Sequence, residues 1–520
     1  MKKFIAVILT FVILIPVLSF GINSEGKEET VFTDLYGDRW YYDSCMYCYE
    51  NGLMEGVGNS SFSPLGKVSR EQFVCALANL DGAGLDAYTE SSKNTPFKDV
   101  KAGIWYSEAI EWARANGIAL GISNTAFGLG VNITREQMAT MLVRYAQYKG
   151  QKTNYSFELE KFTDGKTVSS WAVNGVKYAA AFGLFKGNDK AEFNPLGAAS
   201  RAELATVLMR AHKISKSRIV CFGDSLTMGI ETGFVDIVDT PYPERLGEYL
   251  GIDTINYGIG SETSDMIAMR QGAIPLYVDD MVIPTDCTPI ALFPMLEDSI
   301  EVSPFCLHGF EGVNDVEIAG VKGKITDENG GKGTRWNSNI YFMRNEPGEE
   351  VRITERTQII THPMSDARED DILIIWSGSN DLDGATDLSL VDDIIANQQA
   401  MVDYAGTDEF IIVGFTANNY LGIPSFSECT DLANEMLKEY WGEHYLDIKE
   451  YMATEQVLTD HGIEPTPLDL EFLAKGWIPE SLLEKEKSNG ERGYIHFNQL
   501  GYDIMANMVA EKVVALGYLG

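Results

Sequence analysis

One pattern, written three times, constrains this chain more than any other feature. Phe-Thr-Asp, Phe-Lys-Asp and Phe-Thr-Asp begin at Phe32, Phe97 and Phe162, about 65 residues apart, and each is followed by a tryptophan, Trp40, Trp105 or Trp171. In the middle copy Tyr106, Ala109, Ile110 and Ala113 stand at i, i+3, i+4 and i+7, one apolar helical face, and Gly117 stops the helix. A turn follows, Phe62-Ser63-Pro64 in the first copy and Phe193-Asn194-Pro195 in the third. A second helix then opens at Ser69-Arg70-Glu71-Gln72, Thr134-Arg135-Glu136-Gln137 or Ser200-Arg201-Ala202-Glu203. Ser or Thr followed three residues later by Gln or Glu is a capping box, so those outer positions need no further role. The arginines are different. A cation at the first position of a helix is disfavoured by roughly 0.3–1 kcal/mol. Accepting that cost three times asks for a compensating anion, and a guanidinium beside free helix N–H groups grips a carboxylate in two places. Arg70, Arg135 and Arg201 are therefore candidate anion-binding residues, with three solvated arginines as the alternative.

The rest of the composition sets bounds. At 520 residues the chain suggests about three domains. With 45% hydrophobic and 22% charged residues it is packed globular material. The net charge of −35 excludes a nucleic-acid partner, which needs clustered Lys and Arg. Met1-Lys2-Lys3, the apolar run Phe4 to Phe20, and small residues at Ser19 and Gly21 read as a secretory signal over residues 1–21, with an uncleaved anchor as the alternative. No later run reaches the ~18 apolar residues of a spanning helix, so no membrane partner is expected after cleavage. Cys45 and Cys48 read as small core residues on a helix; a Cys48–Cys75 or Cys287–Cys306 disulfide is left open.

The Phe-x-Asp, Trp, Phe-x-Pro and Ser/Thr-Arg-x-Glu/Gln series resembles the S-layer homology domain in three tandem copies, over residues 31–84, 95–149 and 160–213. The resemblance implies an all-α, three-pronged unit whose arginines, here Arg70, Arg135 and Arg201, bind secondary cell-wall polysaccharide. Such glycans typically carry an acidic pyruvyl ketal and hold the protein on a Gram-positive surface. Two departures, Lys166 to Ser169 before Trp171 and Phe127-Gly128-Leu129 in place of Phe-x-Pro, imply one weaker groove.

After a bridge at His212 to Ser217 the pattern changes to strands alternating with helices. Arg218 to Phe222, Thr254 to Gly258, Asp371 to Trp376 and Phe410 to Phe415 are apolar runs of strand length, with helices at Tyr242 to Leu250 and Leu432 to Glu443 between them. This alternation predicts a parallel sheet with helices on both faces, whose ligands sit beyond the carboxyl ends of the strands. Ser225, Gly258 to Ser261 and Asn380 each follow such a run. Ser225, just past the turn at Gly223, is a candidate nucleophile, and acyl transfer would also require a base and oxyanion donors. Of six histidines, His496 comes just before a C-terminal amphipathic helix, while the other five lack comparable surroundings.

Gly223-Asp224-Ser225-Leu226, Asn256 to Thr263, Gly378-Ser379-Asn380-Asp381 and His496-Phe497-Asn498 look like the four ordered blocks of the GDSL, or SGNH, hydrolases, over residues 217–520. The resemblance implies an α/β fold, the flavodoxin-like three-layer α/β/α sandwich, and serine-esterase or acyl-transfer chemistry. It makes Ser225 the nucleophile and His496 the base, with oxyanion donors at Ser225, Gly260, Ser261 and Asn380. The family's aspartate three residues before the histidine is replaced by Gly493, and Glu491 has the wrong offset, so the expectation is a Ser225–His496 dyad. Residues 274–366 read as a β-rich insertion, where Trp336, Tyr341 and Phe342 are core residues or, less expectedly, a sugar-stacking face. The whole reading is a secreted, wall-attached carbohydrate O-acetyl esterase acting on acylated carbohydrate. An acyltransferase and a non-catalytic adhesion protein are the alternatives. No cofactor, metal site or nucleotide loop is expected.

Overall fold

The structure is a computed structural model that describes residues 31–232, 236–298, 300, 302, 305–306, 312–330, 339–382, 388–416, 424–484 and 495–519. The expected signal, Trp336, Glu491 and Gly493 lie outside the described residues.

Each N-terminal repeat is a pair of helices: α1 (Tyr42–Glu50) and α2 (Arg70–Asp81), α3 (Ser107–Ala115) and α4 (Arg135–Tyr148), α5 (Val173–Ala181) and α6 (Arg201–Ile214). All three capping boxes form, so α2, α4 and α6 start where the sequence predicts. The apolar face of α3 is buried at Ala109, Ile110 and Ala113. The segments just before the second helices close a ring of backbone hydrogen bonds. Val68 N–H donates to Ala199 O (3.0 Å), Ala199 N–H to Ile133 O (3.0 Å), and Ile133 N–H to Val68 O (2.9 Å). The arginine-bearing N-termini therefore meet at one end of the unit.

Each Phe-x-Asp aspartate clamps the later turn of its own repeat. Asp34 accepts from Ser61 Oγ and from the Phe62 and Ser63 N–H groups, and Asp164 accepts from the Phe193 and Asn194 N–H groups. Asp99 accepts from Phe127, Gly128 and Leu129, so the middle turn forms without its proline. The repeat tryptophans are not core: Trp40, Trp105 and Trp171 are 68%, 64% and 55% exposed.

The C-terminal region is built on five parallel strands, β1 (Arg218–Gly223), β2 (Asp253–Gly258), β3 (Asp371–Trp376), β4 (Phe410–Val413) and β5 (Tyr445–Leu446). Their spatial order is β2-β1-β3-β4-β5, the flavodoxin-like order. Side chains alternate across the sheet. Ile219 and Cys221 pack with α7 (Tyr242–Leu250) and the C-terminal helix, while Val220 and Phe222 pack under α8 (Ser264–Gln271), α9 (Ser389–Ala405) and α10 (Pro424–Trp441). The C-terminal helix, α11, spans Gln499–Leu516. The first of these cores continues without a break into the repeat helices.

Between α8 and β3 lies a second, antiparallel sheet. Its strands run in the order Tyr277–Val278, Thr357–Thr361, Asp315–Ile318, Val321–Thr326, Tyr341–Arg344 and Ile290–Ala291. It has its own core of Val316, Ile318, Ile325, Phe342 and Ile359, so Phe342 is a packing residue, and Tyr341 is half-buried. All seven cysteines are free thiols, and Cys45 and Cys48 are buried on α1, so neither disulfide left open by the sequence forms. Among the described residues no helix is long and apolar enough to cross a membrane.

The join between the two regions fixes their polarity. Asp81, Lys149 and Ser215, at or just past the C-terminal ends of α2, α4 and α6, line one cavity of about 250 Å³ with Leu250 and Gly251 at the end of α7. Lys152 donates its N–H to Tyr249 O at 3.0 Å and pairs its ammonium with Glu511 of α11 at 2.5 Å. The repeats thus dock on the end of the sheet where β1 and β2 begin. Ser225 lies past the other end.

Candidate active site

Ser225 opens a short helical turn, Ser225–Met228, directly after β1. Asp224 caps it, its Oδ1 accepting from Leu226 N–H at 2.9 Å. Two glycines let this turn lie against the strand ends. A Cβ at Gly223 would come within 2.5 Å of the Trp376 carbonyl oxygen, and one at Gly258 within 2.2 Å of the Met228 nitrogen. Glycine is needed at both positions for close approach.

His496 is 5% exposed, and its Nε2 lies 2.9 Å from Ser225 Oγ. Its position comes from a short two-stranded pairing at the foot of α11. Glu484 N–H donates to His496 O at 2.9 Å, Asn498 N–H donates to Leu482 O at 3.1 Å, and Leu483 stands opposite Phe497. Asn498 also caps α11, accepting from Gly501 N–H at 3.1 Å.

The same pairing brings in a residue that the sequence reading missed. Glu484 Oε2 is 3.6 Å from His496 Nδ1, and the Glu484 side chain is 1% exposed. That oxygen has no hydrogen-bond partner among the described residues. The imidazole therefore stands between a hydroxyl and a buried carboxylate, so the geometry is that of three residues where two were expected. Among the other described histidines, His212 meets Tyr47 OH, His444 the Phe410 carbonyl and Tyr518 OH, His461 the Val457 carbonyl, and His362 the ring of Tyr257.

Of the expected oxyanion residues, Gly260 lies beside Ser225, and Asn380 beside the Asp224 that precedes it. A Cβ at Gly260 would stand 3.9 Å from Ser225 Cβ. Ser261 has φ +73°, the left-handed backbone that favours glycine, and its buried Oγ has no hydrogen-bond partner among the described residues. Asn380 Nδ2 donates to Glu262 O at 2.9 Å and to Asp224 Oδ2 at 3.3 Å. Asp381 accepts from both the N–H and the Oγ of Ser264, at 2.8 and 2.6 Å. The loop after β2 and the loop after β3 are thereby tied together behind Ser225.

Two buried acids shape the local field. Burial pushes Asp224 up to about 7, with the nearby Asp381 and Glu262 adding to the rise and hydrogen bonds from Leu226 N–H and Ser379 opposing it. Glu262 is paired with buried Arg270, which also donates to Val313 O at 3.2 Å and Asn314 Oδ1 at 3.1 Å. This ion pair links the loop that holds Gly260 and Ser261 to the inserted subdomain.

At the far end of the molecule the three arginines repeat one arrangement. The Arg70 Nε donates to Phe127 O at 3.1 Å, the Arg135 Nε to Phe193 O at 2.7 Å, and the Arg201 Nε to Phe62 O at 2.8 Å. Each guanidinium also lies over the ring of that phenylalanine, between 4.8 and 5.2 Å from its centre. Each groove is thus built between consecutive repeats, the third closing on the first.

Comparison with known proteins bears on both regions. Residues 31–74, 96–139 and 161–205 match the S-layer homology domain. The chain is 32% identical to an endoglucanase of Bacillus sp. (strain KSM-635) over 196 residues, 38% of this chain and 20% of that protein. It is 34% identical to a surface-layer 125 kDa protein of Lysinibacillus sphaericus over 162 residues, 31% of this chain and 13% of that one. The chain therefore spans a fifth or less of the length of these relatives. Among solved structures, it is similar to a lipolytic protein of the G-D-S-L family from Desulfitobacterium hafniense DCB-2, with 15% identity and a TM-score of 0.27, covering 57% of this chain and 99% of that one. A lipase/acylhydrolase from Enterococcus faecalis aligns at 12% identity and a TM-score of 0.28, covering 58% and 96%. The chain carries three S-layer homology domains in tandem, joined to an α/β/α domain with a flavodoxin-like parallel sheet.

Proposed function

We propose that this protein is a cell-surface serine esterase that removes acyl groups, O-acetyl above all, from carbohydrate, and that its S-layer homology domains hold it on acidic cell-wall polysaccharide. The observation that carries the catalytic reading is the 2.9 Å separation of Ser225 Oγ and His496 Nε2, two groups far apart in the chain. Ser225 Oγ attacks the ester carbonyl as His496 Nε2 takes its proton, and the buried Glu484 carboxylate faces the imidazolium that forms. The carbonyl oxygen, now negative, is received by the Ser225 N–H, the Gly260 or Ser261 N–H and the Asn380 amide. For that last contact Asn380 gives up its longer hydrogen bond, the one to Asp224. Each such donor is worth about 3–4 kcal/mol of transition-state stabilisation. As the tetrahedral intermediate collapses to acetyl-Ser225, His496 protonates the leaving sugar oxygen, and water, deprotonated by the same imidazole, then attacks that ester, releasing acetate and restoring Ser225.

The wall-binding reading rests on Arg70, Arg135 and Arg201 at the helix N-termini, where a guanidinium and backbone N–H groups together suit a carboxylate. Ser225 lies past the opposite end of the molecule, so an anchored chain presents its catalytic edge away from the polymer that it grips. The test is acetate release from acetylated xylan, pectin and peptidoglycan by the wild type and Ser225→Ala, with p-nitrophenyl acetate as the general ester. Release that disappears in Ser225→Ala is expected. A wild-type rate no better than the variant's removes the enzyme assignment, and acetyl appearing on sugar in place of water makes the protein a transferase.

A further inference from the structure

The three arginine grooves are not chemically equal, and one residue separates them. Where the first and second capping boxes end in Gln72 and Gln137, the third ends in Glu203. That side chain does two things at once. Glu203 Oε2 accepts from the Ser200 N–H and Oγ, completing the cap, while Oε1 accepts from Arg135 Nη1 at 2.9 Å. Arg135 also donates Nη2 to Lys186 O at 3.4 Å, so all three of its guanidinium nitrogens are engaged and its charge is matched.

The hydrogen-bond partners of the other two arginines are neutral, although Glu71 and Asp99 lie near Arg70 and Asp34 near Arg201. Arg70 Nη1 reaches the Gln137 amide oxygen at 3.5 Å, and Arg201 Nη2 donates to the Glu55 carbonyl. Among the described residues neither arginine is in an ion pair. The Arg135 groove is also open: it is a cleft of about 550 Å³. Its lining balances Arg135, Lys186 and Arg210 against Asp189, Glu192 and Glu203. An acidic ligand would have to displace Glu203 from Arg135 and then face two further carboxylates. An uncharged sugar would meet donors and acceptors of both kinds, with the exposed Trp40 ring at the rim.

We propose that Glu203 stands in for the ligand's carboxylate in the Arg135 groove, so that this groove takes an uncharged sugar while the acidic groups of wall polysaccharide are held at Arg70 and Arg201. The proposal rests on the wall-binding reading above and divides its three arginines between two kinds of sugar.

Glu203→Gln carries the test, because Gln72 and Gln137 show that glutamine completes the same cap. The probes are a sugar bearing a pyruvate ketal and the same sugar without it, titrated calorimetrically into the full-length protein. Glu203→Gln is expected to bind the ketal sugar with roughly threefold or greater gain in affinity, or with one added site, the span of a partly exposed charge pair. Arg70→Ala and Arg201→Ala each weaken ketal binding. Arg135→Ala leaves it within about twofold and weakens the plain sugar instead. Unchanged ketal binding in Glu203→Gln, or a loss in Arg135→Ala equal to that in Arg70→Ala, overturns the proposal. A wild type that binds neither sugar overturns the wall-binding reading itself, a different result from either.

Discussion

Glu484 offers the sharpest test of how this site works. Replacing it with glutamine keeps the shape and an oxygen able to face His496 Nδ1, and removes only the charge. The backbone hydrogen bond from Glu484 N–H to His496 O is untouched, so the pairing that seats the histidine should survive. Two unit charges 3.6 Å apart at an effective dielectric of about 20 attract by about 4–5 kcal/mol, or roughly a thousandfold in rate if the whole interaction appears only once the imidazole is protonated. An acid hydrogen-bonded to its histidine is worth about 10⁴ in kcat. The separation here exceeds hydrogen-bond length, so Glu484→Gln should fall below that, by about 10²–10³ in kcat with KM little changed. Because the carboxylate is buried, solvent cannot screen it or supply a substitute. Glu484→Asp, which restores the charge on a shorter arm, should recover part of the loss. The assay is steady-state hydrolysis of p-nitrophenyl acetate, with circular dichroism to confirm folding. A folded Glu484→Gln enzyme within about threefold of wild-type kcat would refute the assignment and return the site to a Ser225–His496 dyad.

Other consequences follow from single positions. Ser261→Gly removes a left-handed serine and a buried hydroxyl without a hydrogen-bond partner, so it should stabilise the protein by about 1–2 kcal/mol in urea unfolding. Asp224 titrates near 7 when folded, against about 3.9 when unfolded, so between those values the native state holds the proton and the unfolded chain does not. Its contribution to stability therefore falls as pH rises from about 4 to about 7, by up to roughly 4 kcal/mol, and Asp224→Asn should flatten that slope in unfolding curves taken across the window. The hydrogen bonds on Asp34 outweigh its burial and hold its carboxyl below the usual range. Its contribution is thus present above the ordinary value and lost as pH falls through the lowered one. Asp34→Asn should make unfolding of the repeat region less sensitive to acid, as followed by tryptophan fluorescence.

What was legible in the sequence was local or repeated. The capping boxes could be read because each is written within four residues, and the three helices begin where they stand. Three main strands, β1, β3 and β4, could be read because they are buried on both faces and so appear as nearly unbroken apolar runs, while β2, at the sheet edge and partly exposed, was carried by Ile255 and Tyr257. The fifth, Tyr445–Leu446, is two residues long and leaves no such run. The exposure of Trp40, Trp105 and Trp171 was not legible either, since a repeated tryptophan looks the same whether it packs or points outward. Glu484 is the most instructive omission. Spacing searches for a carboxylate close before the histidine, and the sequence offers Gly493 there. Here residues 496–498 pair instead with Leu482 to Glu484 across two backbone hydrogen bonds. A side chain delivered by strand pairing has no fixed offset from its partner. The one trace in the sequence is a charged residue directly after the apolar pair Leu482-Leu483, a pattern too common to single out. Such a pattern gains meaning once the partner strand is known, and here that strand begins at His496.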